Sequence, residues 1–332
     1  MTLRACAAAC LLPIASLDAQ APPTQWSVSG RVLRAAAGED PVPVPGVRVA
    51  LNRVGDDSAG VLDSTRTGAD GSYRFTFRRT GDPDAMYFAD VVYGGVAYFT
   101  EPLVGVNVSG EAAELVVFDT VSTPGVLRLR GRHAVVGPRM ETGDRAVVEV
   151  FELTNDTSLT LVPGSDTQPV WSVALPPDAV DPEVGDGDLP STVVRFRNGR
   201  AELYAPFAPG LRQLSVRYTL AERAFPLVIA MDQPAELLEV LLAAGAAVSG
   251  AGLHKEQDVE IEGDPYARYL STSASAGDRV EVTIHVAASP LIVPVAVGLT
   301  ALLLAGALVY ARRTTYSSPR QLIRADGDHG NR

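Results

Sequence analysis

Cysteine is almost missing from this chain. Of its 332 residues two are cysteine, Cys6 and Cys10, and both stand within the first ten positions. Everything after them is without a disulfide, a thiolate nucleophile or a cysteine ligand for a metal. Small disulfide-stapled scaffolds are excluded, and cohesion has to come from burial, for which a hydrophobic content of 46% is ample. Positive charge is also short, with 28 Lys and Arg against 39 Asp and Glu. A Lys/Arg stripe of the kind nucleic-acid phosphates require is absent, which argues against such a partner. Glycine and proline are plentiful, 30 and 24, but follow no short period. They read as turns between many short strands, not as collagen or a low-complexity linker.

One stretch has no charge at all. Leu291 to Tyr310, LIVPVAVGLTALLLAGALVY, is uncharged over twenty residues and lies between Pro290 and the pair Arg312 and Arg313. Its length matches a membrane span better than a core helix. At the other end, Arg4, the apolar stretch Ala5 to Leu17 and the small-residue site Ala19-Gln20-Ala21 form the three parts of a secretory signal peptide, cleaved after Ala21. Pro13 and the short apolar length count against an uncleaved anchor. Between these segments, Pro22 to Pro290 carries a net charge of −14, while the tail after Tyr310 carries +3. Positive residues just beyond the span place the C-terminus in the cytoplasm. Gly298, Ala301 and Ala305 within the span recur at helical spacing, a weak signal for pairing with a second span.

From Trp26 to about Thr120 apolar residues recur with period two. Val47, Val49 and Leu51 share a face, as do Tyr73, Phe75 and Phe77. Gly68-Ala69-Asp70-Gly71-Ser72 reads as a hairpin loop. The succession Ser29-Gly30-Arg31-Val32, Val44-Pro45-Gly46-Val47-Arg48-Val49 and Thr67-Gly68-Ala69-Asp70-Gly71-Ser72-Tyr73-Arg74-Phe75 resembles the carboxypeptidase regulatory-like domain. That resemblance implies a prealbumin-type β-sandwich of roughly 95 residues, from which Asp90 to Phe99 departs as an elaborated strand pair. It implies little about activity, because function resides in sites and not in the fold that carries them.

From Val121 to Ala287 the same period persists with longer interruptions. Leu127 and Leu129, Val194 and Phe196, Leu214 to Leu220, and Val280 to Ile284 read as strands, with Asn198-Gly199 as a hairpin turn. The acidic, Pro/Gly-rich stretch Pro176 to Asp188 reads as an exposed loop. Ala235 to Ala244 follows Pro234 and is rich in good helix formers, so it reads as a strand with a short helix as the alternative. The region is one larger sandwich or two small ones. Only four residues, Ala287 to Pro290, then separate the last strand from the span, at most about 14 Å when extended.

Catalytic motifs fail on residues they require. A zinc peptidase needs a pattern such as H-x-x-E; His254 is followed by its glutamate one residue early, and His133, His285 and His329 have no acidic residue three positions on. Ser249 lacks the first glycine of a nucleophile elbow. The run Gly245 to Gly250 has P-loop glycine spacing, but Ala251 and Gly252 stand where Lys and Ser/Thr would hold phosphate and magnesium. Asp181, Glu183, Asp186 and Asp188 lack the register of a calcium loop. Tyr87, Phe88, Tyr93, Tyr98 and Phe99 read mainly as core; Tyr93 and Tyr98 would make a stacking patch for a sugar if they faced outward.

The sequence therefore leads to an all-β chain of tandem β-sandwich extracytoplasmic domains with one C-terminal transmembrane helix. The expected boundaries are 1–21 signal peptide, 22–120 regulatory-like sandwich, 121–287 second β-rich region, 291–310 span and 311–332 cytoplasmic tail. It offers no catalytic, cofactor-binding or metal-binding set, and the expected function is a non-catalytic, single-pass envelope protein that engages a neighbour. Its expected partners are the membrane and an envelope or membrane protein. A glycan ligand, or an accessory role in a membrane redox or transport assembly, are the alternatives.

Overall fold

A computed structural model describes residues 25–284 apart from 124, 126 and 245. The segments read as signal peptide, span and tail, and His285, lie outside the described residues. Within them the chain is nearly all β, interrupted by single 3-10 turns at Gly110–Ala113, Ser191–Val193 and Glu222–Ala224. No helix among the described residues is long and apolar enough to cross a membrane. They divide into two compact units, residues 25–35 with 40–117, and residues 36–39 with 118–284.

The first unit is organised by Trp26–Arg34. This strand pairs antiparallel with Ser72–Phe77 and Val42–Pro43, and parallel with Asn107–Ser109 and Leu115–Val117. A second sheet has the order Ala59–Arg66, Arg48–Val54, Met86–Tyr93, Val96–Phe99. Period-two burial holds as the sequence suggests, with Val28, Val32, Val49, Leu51, Tyr73 and Phe75 all buried. Gly68 to Ser72 is not a hairpin. The strand before it pairs with Arg48–Val54, whereas the strand after it pairs with Trp26–Arg34, so the turn carries the chain from one sheet to the other. Its local chemistry is as expected: Asp70 Oδ1 accepts from the Ser72 amide at 3.1 Å and its hydroxyl at 2.6 Å. A turn is legible from local residues, but which sheet takes the next strand depends on distant pairing.

The second unit is built on a sheet with the order Val180–Val184, Gly210–Leu220, Arg145–Asn155, Arg128–Arg139, Ala235–Ala243, Asp264–Ser271, His254–Lys255. Arg128–Arg139 is central, antiparallel to Arg145–Asn155 and parallel to Ala235–Ala243. Two three-stranded sheets and the two-stranded pair Thr120–Val121 with Thr160–Leu161 accompany this sheet. One three-stranded sheet has the order Trp171–Ala174, Arg200–Leu203, Val194–Arg197, and the other Leu227–Ala230, Arg279–Ile284, Ala246–Gly250. A single hydrophobic core joins Val136, Phe151 and Val240 of the large sheet to Trp171, Phe207, Ile229 and Val282, so this region is one unit. Phe151 and Trp171 meet with ring centroids 5.3 Å apart.

Ala235–Ala243 is a strand, held on one side by Arg128–Arg139 and on the other by Asp264–Ser271; burial on both faces overrides its helix propensity. The stretch Pro176 to Asp188 is not all loop, because Val180–Val184 pairs along Gly210–Leu220 with a register shift between Val180 and Glu183. Pro182 has no N–H to give a ladder, which an edge strand with a bulge tolerates. The turn Asn198-Gly199 is a hairpin as read, with φ of 51° and 68°.

Gly30 supports the first unit by the absence of its side chain. A Cβ there would lie 1.7 Å from the Ala113 carbonyl oxygen and 2.9 Å from the Tyr73 hydroxyl, which itself donates to that carbonyl at 2.6 Å. Gly30→Ala is expected to cost at least about 3 kcal/mol, the upper range for overpacking. Hydrogen exchange should show protection falling across residues 26–34 and 72–77 and unchanged across 128–139. Protection equal to wild type in the first unit would refute the constraint.

Candidate functional site

The central strand of the second unit contains an anomaly for its position. Between Leu129 and the apolar Ala134 to Val136 it carries Arg132 and His133, both buried. Alternation along a strand sends neighbours to opposite faces, so each of these residues needs its own partners.

Arg132 enters the main core, where it is 1% exposed. Its Nε and Nη2 both approach Glu149 Oε2, at 2.7 and 2.6 Å. Its Nη1 donates to the Ala230 carbonyl at 2.8 Å and lies 3.6 Å from Met231 Sδ. Glu149, 0% exposed, accepts a 2.8 Å hydrogen bond from the Tyr218 hydroxyl through its other oxygen. Burial, and then the negative charge of Glu149, push the Tyr218 phenol well above its ordinary range, so it stays a donor. The Arg132 guanidinium also sits over the Phe151 ring at 5.3 Å. Charge is balanced inside the core, as it must be where an isolated ion would be costly.

His133 faces the other side of the sheet. Its Nδ1 hydrogen-bonds Glu239 Oε2 at 2.6 Å, and Glu239 Oε1 accepts from Arg268 Nε at 2.6 Å. Nε2 stands 3.7 Å from Glu152 Oε1, within ion-pair range but beyond hydrogen-bond length, and is without a hydrogen-bond partner. Burial lowers the imidazole pKa, but the flanking Glu152 and Glu239 carboxylates outweigh it and raise the value to about 9. Gly131 leaves the room this requires, since a Cβ there would be 2.7 Å from Glu152 Oε2 and 2.9 Å from His133 Nε2.

A cavity of about 450 Å³ opens beside Arg132. Leu175, Pro176, Leu220, Leu227 and Ile229 give it apolar walls, and Asp178 and Arg279 add opposite charges. Its size is that of a small-molecule pocket.

The residues weighed in the sequence fall elsewhere. His254 is exposed in a two-residue strand beside the Lys255–Asp258 ion pair. Ser249 and the described residues of the P-loop-like run, Ala246–Gly250, form an extended strand paired with Arg279–Ile284 and not a loop opening a helix. Of the acidic stretch, Glu183 pairs with Arg217 at 2.6 Å and Asp188 accepts the Gln213 amide at 2.8 Å. Among the described residues no group of three His, Asp or Glu is disposed to hold a metal. Tyr87 and Tyr98 are buried, so Tyr93 and Tyr98 do not form an outward stacking pair; Phe99 is outward, 61% exposed, with its ring 5.8 Å from Phe88. The Arg132 and His133 groups were missed because no motif describes them. Their signal is a charge set inside an apolar strand run, as in Arg132-His133-Ala134-Val135-Val136, Val147-Val148-Glu149-Val150 and Leu237-Leu238-Glu239-Val240.

No protein-family model matches the chain, and no curated protein matches it in sequence. Among solved structures it is similar to a two-domain M1 zinc metallopeptidase bound to L-arginine, at 14% identity and TM-score 0.29, covering 47% of this chain and 42% of that one. It is also similar to an M1 zinc metallopeptidase from Deinococcus radiodurans, at 15% identity and TM-score 0.29, covering 54% of this chain and 52% of that one. The chain thus spans about half the length of these proteins, and likenesses of this degree carry no argument about fold or activity.

The His133 group gives stability a definite pH dependence. With its pKa raised from 6.5 to about 9, its contribution is complete below about pH 6.5 and is lost as pH rises through 9. The Glu152 and Glu239 carboxylates are lowered, because the nearby His133 imidazolium outweighs the opposing effect of burial, so their share is lost on acidification. Urea unfolding of the second unit should therefore show a wild-type advantage over His133→Gln that is largest near pH 5 to 6. The advantage should shrink by roughly 1 kcal/mol or more between pH 6 and 9.5. A difference that stays flat over that interval would contradict the charged buried imidazole.

Proposed function

We propose that the chain is a non-catalytic, single-pass membrane protein that holds two β-sandwich modules outside the membrane and engages a neighbouring molecule through them. The observation that carries this reading is the placement of the uncharged run. Arg279–Ile284 is the middle strand of a three-stranded sheet, and only six residues separate Ile284 from Leu291, at most about 21 Å of extended chain. The second unit is then tethered close to the lipid surface, with the first preceding it in the chain. The order of the three motifs around Gly30, Gly46 and Gly68 supports a regulatory-like identity for that first module.

An engaging role is supported by the outward face of the first unit's four-stranded sheet. Val54, Val61, Met86, Val92 and Phe99 are each 42 to 61% exposed, in strands that pair directly with one another. These apolar side chains share one sheet face around the Asn52–Asp90 hydrogen bond, and exposed apolar groups gathered on a face with a polar centre suit contact with a neighbour.

Topology provides the test. A fluorescent reporter that matures only in the cytoplasm, fused after Arg332, should fluoresce in the membrane fraction. Protease added from outside should remove an epitope placed in the Gly143 turn and spare the reporter. A soluble chain, or protection of both tags, would overturn the anchored reading.

A further inference from the structure

The cavity in the second unit is not accounted for by an anchored scaffold. We propose that it is a binding site for a small, mainly apolar carboxylic acid, whose hydrocarbon body fills the cavity while its carboxylate meets Arg279. The inference goes beyond the anchored reading and does not depend on it.

The shape and lining supply the first part. About 450 Å³ bounded by Leu175, Pro176, Leu220, Leu227 and Ile229 is space that apolar groups fill at a gain, because each methylene removed from water is favourable by roughly 0.8 kcal/mol. These walls come from different layers. Leu220 belongs to the large sheet, Leu227 and Ile229 to a three-stranded sheet, and Leu175 and Pro176 follow the strand Trp171–Ala174 of the other. The cavity thus lies at the margin of the main core, between strands of separate sheets and the connecting segments that carry Leu175 to Asp178 and Ala224 to Pro226.

Charge supplies the second part. Three charged side chains line the cavity: Arg132, Asp178 and Arg279. Arg132 is already neutralised by Glu149, so an acid gains little by burying its carboxylate there and would lose its hydration. One N–H of Arg132 is still open: two of the five go to Glu149, one to Ala230 and one to Met231. A single remaining N–H is too little to hold a second full charge. Arg279 differs. Its backbone lies in the ladder opposite Ala230, but its side chain is exposed, has no ion pair or hydrogen bond among the described residues, and presents a guanidinium fork suited to a carboxylate. Asp178, also exposed, repels an acid and turns its head group toward Arg279.

Equilibrium dialysis of the full chain in lipid nanodiscs, with empty nanodiscs as the blank, tests this with three probes: 4-phenylbutanoic acid, 4-phenylbutan-1-ol and 4-phenylbutylamine. The acid should be retained at one per chain, with the alcohol about tenfold weaker and the amine weaker still, the factor of one charge-assisted hydrogen bond at a wet site. Arg279→Gln should weaken the acid to the level of the alcohol and leave the alcohol unchanged. Ala224→Phe, or Pro177→Phe on another part of the lining, should abolish retention of both by filling the space, with hydrogen exchange confirming that the unit remains folded. No retention above the blank, undiminished retention by both filled variants, an acid indifferent to Arg279→Gln, or an amine bound as tightly as the acid would each overturn the proposal.

Discussion

The second unit depends on burying an ion pair where a hydrophobic core would ordinarily have none. Arg132 and Glu149 lie on adjacent central strands, face the same side, and are sealed by Tyr218, Phe151 and the Ala230 carbonyl. On the other side of the same sheet His133 is held between Glu239 and Glu152. The central strand therefore carries a cation on each face, and each cation has its carboxylates at fixed positions on neighbouring strands. A slip of one residue would send Arg132 to the His133 side and leave charges without partners. A purely aliphatic strand such as Val-Ile-Val would tolerate the slip far better. The two groups specify register, the role for which buried polar pairs are best attested.

This arrangement explains how far the sequence could be read. Strand identity follows from period two and from turn residues, so the stripes at Tyr73 and Phe75, at Leu214 to Leu220 and at Val280 to Val282 are visible directly. Asn198-Gly199 is visible for the same reason, since its backbone needs positive φ at both positions. Pairing partners are another matter. The Gly68 to Ser72 turn has the right residues for a hairpin yet joins strands of different sheets, and Val180–Val184 becomes an edge strand although its composition is that of a loop. Ala235–Ala243 has helix-forming residues, and what makes it a strand is the pair of neighbours that bury it.

The buried charges follow the same division. That Glu149 and Glu239 interrupt apolar runs can be seen in the chain. That one meets Arg132 and the other His133 depends on register between strands up to 106 residues apart. The cavity is further removed still, because its walls come from separate sheets and its charge comes from residues as distant as Asp178 and Arg279. A search by motif looks for chemistry clustered in sequence and passes over a site of this construction.

Coupling between Arg132 and Glu149 tests the central claim most directly. In a double-mutant cycle read by urea unfolding, Arg132→Met or Glu149→Leu alone should each cost about 3 to 5 kcal/mol, because each strands the other charge in the core. The double variant should cost far less than their sum, leaving a coupling of at least about 2 kcal/mol. Single costs below about 1 kcal/mol, or costs that simply add, would show that the pair does not hold the sheet together.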